Sequence, residues 1–136
     1  MTSGQMAPAT LIGQKTTTSP LGRDPAEAGM GYPIRVAELL ATLDGTAYIA
    51  RGAVHTAANV RKTRNYIRKA LELQMNGIGF TMVEILSQCP TNWSMEALES
   101  VDWLEKNMIP VFPLGEIKKP AAAPVEKPAA AKLGAA

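Results

Sequence analysis

The sequence is most informative first for what it lacks. It has one cysteine, Cys89, and one histidine, His55, in 136 residues. A lone cysteine cannot close an internal disulfide and sits more comfortably in a reducing compartment. One histidine leaves no His-rich metal constellation and no Cys and His pairing for a thiol nucleophile. No glycine-rich phosphate loop of the Rossmann or Walker type occurs; Gly29, Met30 and Gly31 make only a short turn signal. Long apolar runs are missing too. Phe80 to Leu86 falls far short of the roughly 20 residues that a spanning helix needs, and Met1 to Gln14 lacks the basic and apolar regions of a secretory signal. These absences argue for a soluble, cytoplasmic protein with no membrane partner. A net charge of +2 is too small for a polyanion binder, so nucleic acid is not an expected partner.

What is present divides into three stretches. Residues 1–33 are rich in Gly, Pro, Ser and Thr without helical or strand periodicity, and read as a long ordered or semi-ordered loop. Such a loop is uncommon in a compact domain unless it covers a site or belongs with structure supplied from elsewhere. Residues 34–117 form the globular α/β part. Residues 118–136 are Ala, Pro and Lys with almost nothing to bury, the composition of a disordered tail.

Within the globular part, Pro33 is a favourable first-turn residue for a short helix carrying Ile34, Val36, Ala37, Leu40 and Leu43, which stops before Asp44-Gly45. Thr46 to Ala50 reads as a buried strand. Thr56 can cap a helix reaching about Asn76, with Val60, Ile67, Leu71 and Met75 near one face and Gly77 as its stop. Phe80 to Leu86 is the best strand in the chain. It is apolar on both faces apart from Glu84, which predicts burial on two sides in a parallel sheet. After a loop over Cys89 to Trp93, Ser94 can cap a helix to about Asn107 whose Ala97, Val101, Leu104 and Met108 face the core. Alternating helices and strands predict an α/β layered fold with right-handed crossovers.

Three groups of residues carry possible chemistry. Arg51, Arg61, Lys62, Arg64, Arg68 and Lys69 crowd the middle of the chain. They read as a solvated helix face or, alternatively, as a docking surface for an acidic protein. His55 lies between a strand and a helix start, where a local hydrogen-bonding or capping role outweighs a catalytic one. Cys89 follows the best strand at its carboxyl end, where open α/β sheets place ligand sites, but a lone cysteine also packs like a small hydrophobe.

Gly4-Gln5-Met6-Ala7-Pro8, Gly13-Gln14-Lys15-Thr16-Thr17-Thr18, Gly22-Arg23, Pro33-Ile34-Arg35-Val36-Ala37-Glu38-Leu39-Leu40, Ala50-Arg51-Gly52, Phe80 to Leu86, Cys89-Pro90-Thr91-Asn92-Trp93 and Met108 to Gly115 follow one another in this order. Together they resemble the C-terminal part of the beta, thiamine-diphosphate-binding, subunit of the 2-oxoacid:ferredoxin oxidoreductases, over about residues 1–117. The resemblance is nearest to members acting on 2-oxoglutarate or branched-chain 2-oxo acids, chiefly through Pro90 to Trp93.

The fold it implies is the C-terminal portion of a thiamine-diphosphate-binding fold, with a mostly parallel sheet flanked by helices. It implies coenzyme A-linked oxidative decarboxylation of a 2-oxo acid, with electrons passed to ferredoxin and an alpha subunit as partner. The implied cofactors are thiamine diphosphate, Mg2+ and a four-iron four-sulfur cluster. In that family a GDG segment and an Asn-containing segment hold the diphosphate and magnesium, and neither is in this chain. By the same resemblance, Met1 and Thr2 are the residues nearest the diphosphate or the thiazolium. Ser87-Gln88-Cys89-Pro90 matches a loop that completes the cluster, which makes Cys89 an iron-sulfur ligand whose three companions lie elsewhere. The chain alone is then expected to be inactive. A non-catalytic assembly or interaction module is the alternative of a different class.

Overall fold

The computed structural model describes residues 10–17, 19–26 and 31–120. The chain forms α1 (Val36–Ala41), β1 (Thr46–Ala53), α2 (Ala57–Met75), β2 (Phe80–Leu86), α3 (Pro90–Trp93) and α4 (Ala97–Trp103). A π-helical segment, Leu104–Met108, then leads into α5 (Ile109–Val111) and β3 (Gly115–Lys118). The strand order is β2-β1-β3.

β1 and β2 run parallel in a register that sets Ile49 beside Met82 and Ala53 beside Leu86. β3 runs antiparallel to β1. The sheet is therefore mixed rather than mostly parallel. The cause is β3, four residues with alternating charge that run back along β1 after the helical stretch from α3 to α5. Such a short segment gives too weak a periodicity to stand out in the sequence.

Local chemistry accounts for α2. Thr56 Oγ1 accepts from the Asn59 N–H at 3.2 Å, and Gly77 takes φ +67 just past the end, with its N–H donating to the Gln74 carbonyl at 2.9 Å. Both expected helix signals operate here. Pro33 and Ile34 remain outside α1, which starts at Val36. Ser94 is not an N-cap. It adopts the left-handed conformation at φ 53 and closes α3, and α4 starts at Ala97 after Glu96. Pro90 at the first turn of α3 initiates a helical turn where a loop was expected.

The inner strand is β1, buried along nearly its whole length. β2 lies at an edge and only Leu86 is buried, so the burial on two sides predicted for it is not found among the described residues. Two packed layers cover β1. Tyr48 and Ala50 join Ala70 of α2, with Tyr66, Leu73 and Val83 against them. Ala53, on the opposite face by the alternation of a strand, joins Leu86, Leu11, Trp93, Leu104, Met108 and Phe112.

At Gly52 helix and strand come so close that an added Cβ would lie 2.2 Å from Thr63 Oγ1. Thr63 Oγ1 donates to the Ala53 carbonyl at 2.9 Å and accepts from its N–H at 3.0 Å. The face of α2 toward the sheet is thus Thr63, Tyr66, Ala70 and Leu73. The Val60, Ile67, Leu71 and Met75 face is exposed.

Candidate functional site

Cys89 stands three residues past the carboxyl end of β2, immediately before α3. Its carbonyl accepts from the Trp93 N–H at 3.0 Å, while the Met95 N–H donates to the Pro90 carbonyl at 3.1 Å. The turn is therefore rigid at both ends. The free thiol is half-buried and packs against the core cluster containing Trp93 and Phe112. Both properties foreseen for this cysteine coexist: a small apolar packing group, and a thiol at a defined place at the sheet's carboxyl edge. Among the described residues no three His, Cys, Asp or Glu side chains converge as a metal site. Cys89 is the chain's only cysteine, so the chain can give a cluster one thiolate and no more.

The N-terminal loop is built onto this turn. The Thr17 N–H donates to the Asn92 carbonyl at 3.0 Å, and Thr17 Oγ1 donates to Asn92 Oδ1 at 2.6 Å. Behind Thr17, the Thr16 and Ser19 backbones exchange two hydrogen bonds of 3.1 Å. Gln14 Oε1 accepts from the Leu11 N–H at 2.8 Å. The buried Arg23 donates to the carbonyls of Thr10 and Gly31, at 3.1 and 2.9 Å. Gly22, at φ +92, brings its Cα so near Gly13 that a Cβ would lie 3.0 Å from the Gly13 oxygen. Gly13, Gln14, Thr16, Gly22 and Arg23 thus act by shaping the loop.

Between loop and turn lies an open cleft of about 320 Å³, lined by Gly13, Lys15, Trp93, Met95, Trp103 and Asn107 among others. Trp93 and Trp103 meet at 4.8 Å between ring centroids. Met1 and Thr2 lie outside the described residues.

Sequence reasoning missed Arg51, which it counted with the basic helix residues. Its side chain is 0% exposed. Arg51 forks onto Glu38 at 2.9 and 2.5 Å, and its Nε donates to Glu84 at 2.6 Å. It also donates to the Pro113 carbonyl at 3.2 Å, and its guanidinium lies 5.3 Å from the centre of the Phe112 ring. Burial works against its charge, but the hydrogen bonds with Glu38 and Glu84 outweigh it and hold the guanidinium protonated. The Arg51 hydrogen bonds hold the Glu38 carboxyl below the usual carboxylate range. The signal available in the sequence was an arginine inside an otherwise apolar strand, a position tolerated only with paired carboxylates.

The remaining cations divide. Lys69 pairs with Glu116 at 2.5 Å and lies over the Tyr48 ring at 4.9 Å. Lys69 in turn keeps Glu116 below the carboxylate range, while burial, with Glu116 nearby, pushes the Tyr48 phenol upward. Arg68 pairs with Glu72 on the helix surface, and Arg61, Lys62 and Arg64 are exposed. His55 Nε2 lies 3.4 Å from Asn59 Nδ2 in the first turn of α2, in line with a local role.

Comparison with known proteins finds oxidoreductase subunits over most of the chain. The ketoisovalerate oxidoreductase subunit VorA of Methanothermobacter thermautotrophicus is 43% identical over 114 residues, covering 84% of this chain and 24% of that protein. The 2-oxoglutarate synthase subunit KorB of Archaeoglobus fulgidus is 36% identical over 107 residues, covering 79% and 35%. That of Methanocaldococcus jannaschii is 31% identical over 114 residues, covering 80% and 37%. The chain is homologous to a subunit of the 2-oxoacid:ferredoxin oxidoreductases. It spans 24% to 37% of the length of these oxidoreductase relatives. No family model matches the chain, and no solved structure matches it. Among the described residues, no helix is long and apolar enough to cross a membrane.

Proposed function

We propose that the chain is the C-terminal part of the thiamine-diphosphate-binding (beta) subunit of a 2-oxoacid:ferredoxin oxidoreductase, acting in the cytoplasm on 2-oxoglutarate or a branched-chain 2-oxo acid. An alpha subunit, ferredoxin and coenzyme A are its proposed partners. The observation that carries this reading is the union of separated blocks at one sheet edge, where Thr17 is bonded to Asn92 beside Cys89.

Cys89 fits as one thiolate of an iron-sulfur cluster, since the rigid turn presents sulfur at the end of β2 and thiolates are the usual ligands of such clusters. The described carboxylates converge on no magnesium site, and Met1 and Thr2, proposed to lie nearest the diphosphate, are outside the described residues. When bound, thiamine diphosphate supplies the electron sink for decarboxylation and the cluster supplies a one-electron path. The part of this chain is to present the Cys89 thiol, to hold the N-terminal loop against it through Thr17 and Asn92, and to wall the cleft with Trp93 and Trp103.

The test is Cys89→Ser in the assembled complex. An alkoxide matches iron less well than a thiolate, so iron content and ferredoxin reduction should fall while thiamine diphosphate stays bound. Full iron, an unchanged electron paramagnetic resonance signal and normal turnover would make Cys89 a packing residue.

A further inference from the structure

Two clefts beside the N-terminal loop share a wall. The one between the loop and the Cys89 turn, about 320 Å³, is bordered by Trp93 and Trp103. The other, about 470 Å³, is bordered by Tyr32, Pro33, Arg35 and Val111. Leu11, Ile12 and Asn107 line both, so the two are ends of one groove. Each end lies in the range of small-molecule sites, roughly 300 to 1,000 Å³. No role described above occupies it.

The lining has a one-sided charge. It includes Lys15 and Arg35 and no aspartate or glutamate. Both cations are exposed, and neither closes an ion pair among the described residues. Arg35 acts on Glu38 at a distance, but that carboxylate is already forked by Arg51. Two amides are half used. Gln14 accepts from the Leu11 N–H through Oε1, and Asn107 Nδ2 donates to the Trp103 carbonyl at 3.0 Å. The Gln14 Nε2 donor and the Asn107 Oδ1 acceptor are left over among the described residues. Asn107 stands in the π-helical segment, a rare geometry that recurs at functional sites. The buried Trp93 braces the half-buried Trp103 through their tilted ring contact.

We infer that this groove binds the adenosine diphosphate moiety of a nucleotide. The base stacks on Trp103, since an aromatic face accepts any base. Its edge meets the two amides, because adenine presents an acceptor and a donor side by side where Gln14 and Asn107 offer a donor and an acceptor. The diphosphate lies toward Lys15 and Arg35, where no carboxylate repels it. Two sources carry this moiety, free ADP and coenzyme A. The inference rests on the oxidoreductase reading only in naming the second, and on the cluster role of Cys89 not at all.

The chain's two tryptophans both border the groove, so its own fluorescence reports occupancy. The full chain is titrated with ADP, coenzyme A, adenosine, pyrophosphate and thiamine diphosphate, and calorimetry repeats the ADP arm for each variant. Saturable quenching by ADP and coenzyme A is expected below millimolar concentration, with the other three at least about tenfold weaker. Tighter coenzyme A assigns the groove to the acyl acceptor, and tighter or equal ADP assigns it to a free nucleotide. Trp103→Leu should weaken ADP about tenfold or more. Lys15→Glu and Arg35→Glu, both exposed, should keep the circular dichroism spectrum and weaken ADP mainly at low salt. Arg61→Glu, outside the groove, should leave ADP affinity unchanged. Absence of saturation, binding of adenosine, pyrophosphate or thiamine diphosphate as tight as that of ADP, or full affinity in both cation variants would each overturn the inference. None of these readouts involves iron or decarboxylation, so failure here and failure of the proposed function remain distinct.

Discussion

Arg51 is the residue on which three parts of the fold converge, because its guanidinium joins α1 through Glu38, β2 through Glu84 and the approach to β3 through the Pro113 carbonyl. Arg51→Met leaves two half-buried carboxylates, 34% and 20% exposed, without their counter-charge; solvent screens both, so the cost in urea unfolding at neutral pH should stay below the about 3 to 5 kcal/mol of a fully buried broken pair. Arg51→Lys keeps a charge but loses the fork, and should fall between the two. Acid sensitivity follows from the same contacts. Glu38 and Glu116 are held below the ordinary value of 4.5, by Arg51 and Lys69 respectively, so the unfolded chain binds their protons first. Their contribution is present in full above that value and is lost as pH falls through the depressed folded values. Unfolding midpoints measured down a pH series should decline below the carboxylate range, and Arg51→Met should make that decline shallower. An equal slope in the variant would show that Glu38 does not owe its acidity to Arg51.

At the scale of elements, the tightest constraint is the crossing of α2 over β1, where Gly52 admits the Thr63 side chain. Gly52→Ala places a methyl group inside contact distance of three Thr63 atoms and should destabilise by about 1 to 3 kcal/mol. Thr63→Ala removes the nearest of those atoms, together with its two bonds to Ala53. The double variant should therefore lose less than the sum of the single ones, a coupling that a double-mutant cycle measures directly. Simple additivity would mean that the crossing relaxes without strain.

These elements also show what the sequence made legible. Thr56 and Gly77 marked α2 and the apolar run marked β2, because capping and strand composition are local properties. The position of β2 at an edge, the antiparallel β3 and the burial of Arg51 depend on partners distant in the chain. The same division holds at the candidate site. The loop with Cys89 was visible as a motif, whereas its bonding to Thr17, 75 residues away, was not.

For the whole molecule, the question is whether this chain can hold the cofactors proposed for the complex. Several of its described carboxylates are engaged in ion pairs: Glu38 and Glu84 with Arg51, Glu72 with Arg68, Asp102 with Lys106, and Glu116 with Lys69 and Lys119; among the described residues no three metal-ligating side chains converge. Magnesium bound with a diphosphate takes oxygen ligands in near-octahedral geometry, commonly one or two carboxylates beside the phosphates. Recruiting Glu38 or Glu84 would strip a partner from the buried Arg51, and recruiting Glu116 would open the Lys69 contact beside Tyr48. Both changes oppose binding. Anaerobic iron reconstitution meets a similar limit, one cysteine where a four-iron cluster takes four thiolates. Calorimetric titration of the isolated chain with thiamine diphosphate and Mg2+ should therefore show no binding in the micromolar range, and reconstitution should leave less than one iron per chain. Supplying the complementary segment of a longer relative should raise both. Stoichiometric micromolar binding to the chain alone would place the diphosphate site among residues assigned here to packing and ion pairing.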